Sequence, residues 1–90
     1  MRFAGRVAVV TGATSEIGRA AAMRLASEGA AVAVAALTPS KVEAVATDLR
    51  KAGGKFYAAA VDLCAPGAVE RFFAEASQAL GPVDILVNAA

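Results

Sequence analysis

The stretch Arg6–Ala22, RVAVVTGATSEIGRAAA, limits the folds open to this chain more than any other. Val7, Ala8, Val9 and Val10 form a short apolar run with β-branched members, the pattern of a strand buried on both faces of a parallel sheet. Thr11 and Gly12 end that run. From Ile17 onward, Ala21, Leu25 and Ala26 recur at helical spacing, and Glu28-Gly29 supplies the stop. A turn therefore joins the end of a strand to the start of a helix. The first amides of a helix lack internal partners and its dipole is positive there, so such a turn is ready to receive a phosphate. Gly12 permits the tight turn, and Gly18 lets the helix pack closely on the strand.

The rest of the chain repeats the alternation. Ala31–Ala36, AVAVAA, reads as a second strand. Thr38-Pro39-Ser40 then opens a helix, with Thr38 placed to cap it and Pro39 suited to its first position. Val42, Val45, Ala46 and Leu49 give that helix one apolar face, and Gly53-Gly54 ends it. A third strand spans Lys55–Val61, with Asp62-Leu63 at its carboxyl end. Val69, Phe72, Phe73, Ala76 and Leu80 make the apolar face of a third helix, opened near Ala65-Pro66 and closed by Gly81-Pro82. Asp84–Asn88 is the fourth strand. The order βαβαβαβ implies right-handed crossovers and an α/β fold: a Rossmann-like doubly wound parallel sheet, strand order 3-2-1-4 if the chain binds a dinucleotide, truncated after strand four.

Composition sets outer limits. Ninety residues suggest one small domain, which buries roughly 60% of its unfolded surface. A hydrophobic fraction of 58% favours a sheet covered by helices on both faces. With a net charge of +1 and no run of like charge, nothing points to nucleic acid. One cysteine and no histidine exclude a disulfide framework and argue against a metal site, so a reducing cytoplasm is the expected location. No apolar run has membrane-spanning length, and the start lacks the pattern of a signal peptide.

The spacing Thr11-Gly12-x-x-x-x-Ile17-Gly18 resembles the T-G-x-x-x-G-I-G motif of the short-chain dehydrogenase/reductase family. Asp62-Leu63 resembles that family's Asp-[Val/Leu] pair, and Val87-Asn88-Ala89-Ala90 its Asn-Asn-Ala-Gly segment. Two positions depart: Glu16 stands where the family usually has its middle glycine, and Ala89 replaces the second Asn. A carboxylate about 5 Å from a pyrophosphate charge costs roughly 3 kcal/mol at an effective dielectric near 20, and less if it swings into solvent.

The resemblance spans nearly all of the chain and implies residues 1–90 to be a partial NAD(P)-binding Rossmann domain. Its cofactor-binding residues would be Gly12, Thr14, Ser15, Glu16, Ile17 and Gly18 on the turn, Leu37 after strand two, Asp62 and Leu63 at the adenine, and Asn88, Ala89 and Ala90 near the nicotinamide ribose. Asp62 has an alternative reading as a helix cap or solvated turn residue, and Asn88 as a partner for strand-end backbone groups. Neither Ala36 nor Leu37 supplies the carboxylate that holds an NAD ribose, or the basic residue that takes an NADP phosphate. Thr38 and Lys41 remain near enough to reach a 2′-phosphate, which gives a slight preference for NADP over NAD.

The family interconverts carbonyls and alcohols with a Ser, a Tyr and a Lys, the last two spaced Tyr-x-x-x-Lys. Tyr57 is followed four residues later by Val61, so the chain has no catalytic residue of this kind, and Tyr57 reads as a strand residue with its hydroxyl at a sheet margin. Cys64 has no basic neighbour in sequence to activate it. The expected function is therefore that of an NAD(P)-dependent oxidoreductase, represented by its cofactor-binding part and inactive alone. The partners implied are a dinucleotide, a small carbonyl or alcohol substrate in the complete enzyme, and further copies in a homo-oligomer, with no nucleic acid and no membrane. The alternative is a stand-alone nucleotide-binding or interaction module without catalysis.

Overall fold

A computed structural model describes residues 2–89. The elements follow in the order β1 (Val7–Thr11), α1 (Glu16–Ser27), β2 (Ala31–Ala36), α2 (Pro39–Ala52), β3 (Phe56–Ala60), α3 (Ala68–Leu80) and β4 (Ile85–Asn88). The four strands form one sheet in the order β3-β2-β1-β4, with each neighbouring pair parallel. This is the Rossmann-like arrangement expected from the alternation of elements. Parallel strands need long crossovers, and each crossover here carries a helix that covers one face of the sheet.

The strands bury alternate residues on opposite faces. On one face, Ala8, Val10, Val32 and Val34 pack with Ala22 and Leu25 of α1 and with Val45 and Leu49 of α2. On the other, Val9, Ala33 and Ala35 pack with Phe72 and Ala76 of α3. The apolar face expected on α2 is buried in full, at Val42, Val45, Ala46 and Leu49.

Several local expectations change. In α1 the fully buried stripe is Gly18, Ala22 and Leu25, while Ala21 and Ala26 are half-buried and Ile17 is 76% exposed. The stripe keeps Leu25 but starts one residue later, at Gly18 and Ala22 instead of Ile17 and Ala21, where Gly18 is small enough to touch the turn. The third helix starts at Ala68 rather than near Ala65-Pro66. Ala65 donates its amide to the Asp62 carbonyl and Ala68 donates to the Ala65 carbonyl, so these residues form turns ahead of the helix. Of the face expected on α3, only Phe72 and Ala76 are buried, joined by Ala68; Val69 remains 42% exposed. Thr38 takes the capping position of α2 with an extended backbone, but its side chain makes no cap hydrogen bond. The ladder of β3 is shorter than Lys55–Val61, although the Lys55 carbonyl and the Val61 amide still bond to Val32 and Ala36.

Asp84 lies just ahead of β4, not within it. Its amide donates to the Val7 carbonyl at 2.8 Å and its carboxylate accepts from the Val7 amide at 3.0 Å. This two-way clamp fixes the start of β4 against the start of β1.

Candidate functional site

All four strands point their carboxyl ends the same way, so the turns that follow them meet along one edge of the sheet. That edge is where open parallel sheets bind ligands. Gly12 leaves β1 with φ +66°, a left-handed conformation that costs glycine little. Its carbonyl turns inward and accepts from the Ser15 amide at 3.0 Å and the Ser15 hydroxyl at 2.8 Å. Ser15 caps α1: its hydroxyl oxygen accepts from the Gly18 amide at 3.0 Å. Gly18 is buried against this turn. A Cβ on Gly18 would lie 2.2 Å from the Gly12 carbonyl oxygen, so close approach of helix and turn requires a glycine there. The contact is with the turn itself rather than, as expected, with the strand.

Ser15 leaves part of the helix terminus free. Among the described residues, the amides of Thr14, Glu16 and Ile17 donate to no protein acceptor. Open amides, a positive dipole end and a surface shaped by glycine fit the phosphates of a nucleotide. Glu16, the first helical residue, is exposed at the same terminus.

Beyond the turn, a cleft of about 290 Å³ runs from Gly12 and Thr14 past Ala35, Ala36 and Leu37 to Val61, Asp62, Leu63 and Cys64. It joins the glycine turn to three of the other residues expected at the site. Leu37 forms an exposed apolar rim, 69% accessible, and Leu63 is half-buried. Asp62 is exposed, and one carboxylate oxygen accepts from the Cys64 amide at 3.0 Å. This is the turn role foreseen for Asp62, and it leaves the second oxygen open to a ligand. A cleft of about 350 Å³ at the outer edge of β3 shares Asp62 but touches no residue of the turn.

Asn88 ends β4 beside the end of β1. Its amide oxygen accepts from the Thr11 hydroxyl at 2.8 Å, so its partner is a side chain rather than a backbone group. Thr11, 7% exposed, is the buried polar residue that sequence reasoning missed; the signal available was a β-branched hydroxyl closing an otherwise apolar strand. The Ala89 amide donates to the Thr11 carbonyl at 3.0 Å, and the Ala89 carbonyl approaches the Ser15 hydroxyl at 3.4 Å. Asn88 and Ala89 thus stand next to the glycine turn, and Ala90 lies outside the described residues. Tyr57 does not join them. Its hydroxyl donates to the Glu75 carboxylate at 3.1 Å on the edge strand β3. Desolvation raises the phenol pKa above its ordinary value, and Glu75 adds to the rise through this hydrogen bond and its charge.

A parallel sheet in the order β3-β2-β1-β4, with helices on both faces and with its glycine turn, second strand end and third strand end on one cleft, defines an α/β fold of the Rossmann type. The chain belongs to the short-chain dehydrogenase family, whose family model matches residues 6–90. It is 38% identical over 86 residues to 2,3-dihydro-2,3-dihydroxybenzoate dehydrogenase of Bacillus subtilis, covering 96% of this chain and 33% of that protein. A solved short-chain dehydrogenase/reductase of Serratia marcescens superposes with a TM-score of 0.93 at 42% identity, covering 100% of this chain and 37% of that one. A variant actinorhodin polyketide ketoreductase, solved with NADPH, superposes with a TM-score of 0.89 at 39% identity, covering 94% and 33%. The chain spans about a third of the length of these relatives. No helix among the described residues is long and apolar enough to cross a membrane.

Proposed function

We propose that the chain is the dinucleotide-binding part of an NAD(P)-dependent oxidoreductase that interconverts a carbonyl and an alcohol in a small molecule. The observation that carries this reading is the continuity of the cleft from the phosphate turn at Gly12 and Thr14 to Leu37 and Asp62. The open amides of Thr14, Glu16 and Ile17 receive the diphosphate, with Ser15 and Gly18 holding the turn in shape. Leu37 and Leu63 flank the adenine, and the free oxygen of Asp62 accepts from its amino group. Asn88 and Ala89, held by Thr11, border the nicotinamide ribose, with Ala90 following them in the chain. The bound cofactor supplies hydride transfer. No side chain of this chain is assigned a proton-transfer role, so residues 1–90 alone are inactive as a dehydrogenase. A cytoplasmic location and a homo-oligomeric state belong to the same reading.

NADP is the favoured cofactor. At the end of β2, Ala36 is buried and Leu37 is apolar, so no carboxylate is present there to accept from ribose hydroxyls. Thr38 keeps its hydroxyl free of a cap bond, and Lys41 is exposed one turn into α2; both favour a 2′-phosphate. Ligand-observed NMR titration with NADP and NAD tests both points. Saturable binding of NADP, tighter than NAD, is expected. Tighter NAD would overturn the preference, and absence of binding by either would overturn the function.

A further inference from the structure

Glu16 brings a negative charge to the surface that the reading above assigns to a diphosphate. It is the first residue of α1, exposed, between a cap residue and the open amide of Ile17. Its carboxylate complements the positive end of the helix, so it helps the isolated protein. The same charge opposes any anion that approaches the same amides. Neighbouring cations do little to cancel it. Arg19, one turn further along α1, is paired with Asp48 of α2. Lys41 lies in the first turn of α2 and Arg71 lines the edge cleft with Asp62, and neither lines the cleft that holds Gly12 and Thr14. Asp62 places a carboxylate of its own in the cleft.

We propose that Glu16 is an electrostatic brake on cofactor binding: it weakens affinity for the phosphate-bearing ligand by an amount that ionic strength sets. This rests on the cofactor reading of the cleft. Glu16 acts on the diphosphate and not on the adenosine, because its charge sits at the turn while the nucleoside lies toward Leu37 and Asp62. The Debye length falls from about 30 Å at 0.01 M salt to about 3 Å at 1 M, so the brake is strongest in dilute buffer and released in concentrated salt. A purely helix-stabilising Glu16 would show neither the ligand selectivity nor the salt signature.

The test measures adenosine and ADP binding to the chain by ligand-observed NMR, in wild type, Glu16→Gln and Glu16→Asp, at low and high ionic strength. Glu16→Gln should tighten ADP about two- to fivefold at low salt, the range of an exposed charge interaction, and the gain should vanish at high salt. Adenosine affinity should be unchanged throughout, and Glu16→Asp should keep the wild-type affinity and salt response. Equal ADP affinity in wild type and Glu16→Gln would overturn the brake while leaving the cofactor site standing. A gain that extends equally to adenosine would assign the effect to shape and overturn it too. Failure of ADP to bind any of the three proteins would overturn the cofactor reading and the brake with it.

Discussion

Replacing Gly18 with alanine tests whether the approach of α1 to the turn is as tight as the structure makes it. The added methyl carbon would lie 2.2 Å from the Gly12 carbonyl oxygen, 2.9 Å from the Gly12 carbonyl carbon and 3.0 Å from the Ser15 hydroxyl oxygen. The first contact is roughly an ångström inside van der Waals separation. The carbonyl cannot simply withdraw, because it accepts from both the amide and the hydroxyl of Ser15. Relief must come from moving α1 outward or opening the turn, and either stretches the cap bond from the Gly18 amide to Ser15. Overpacking of this kind costs about 1–3 kcal/mol and a lost cap about 1 kcal/mol. Alanine returns about 1 kcal/mol through its better helix propensity, leaving a net loss of about 1–3 kcal/mol. Gly54→Ala is the matched control: its Cβ would meet only the Ala30 carbonyl oxygen, at 3.8 Å, an ordinary contact. Urea unfolding followed by circular dichroism should separate the two, with Gly54→Ala within about 0.5 kcal/mol of wild type. ADP binding should fall in Gly18→Ala alone. Equal stability of the two variants would refute the account of the turn.

Two other perturbations have defined outcomes. Tyr57 has its pKa raised by desolvation and by Glu75, so the folded state favours the neutral phenol. That stabilisation is fully present below the ordinary tyrosine value of about 10 and is lost as pH rises through the raised value. Thermal melts across alkaline pH should therefore show wild type losing stability faster than Tyr57→Phe; parallel profiles would remove the role given to the Tyr57–Glu75 hydrogen bond. At the opposite edge, β4 carries Ile85, Leu86 and Val87 without a proline or lysine to discourage pairing, and Leu86 is 57% exposed beside Val69 and Phe73 in an apolar trench of about 300 Å³. The ninety-residue polypeptide should self-associate in light scattering and Leu86→Lys should reduce that association, whereas a monodisperse wild-type monomer would contradict the expectation.

Much of the architecture was legible in the sequence because it is local. The apolar runs Val7–Val10 and Ala31–Ala36 are too short for helices and too uniform for a half-solvated sheet, which leaves strands covered on both faces. The spacing Val42, Val45, Ala46, Leu49 fixes the buried face of α2 without reference to any other element. The glycine turn was legible for the same reason, since its conformation and its helix terminus arise within a few residues of each other.

What the sequence could not show was how residues far apart in the chain meet. Nothing in the neighbourhood of Thr11 announces that its hydroxyl bonds to Asn88, 77 positions away, or that the Asp84 carboxylate holds the Val7 amide at the same separation. Apolar letters marked Ile17 and Val69 for burial, yet both are exposed, because α1 faces the sheet through Gly18, Ala22 and Leu25 and α3 through Ala68, Phe72 and Ala76. The sequence determined the elements, their order and the glycine turn between β1 and α1, each set by periodicity and backbone preference over a few residues. Only the tertiary structure decided which carbonyl Gly18 must clear, which oxygen of Asp62 is already taken and which side chains close β1 on β4, because those depend on the packing of strands and helices brought together across the whole chain.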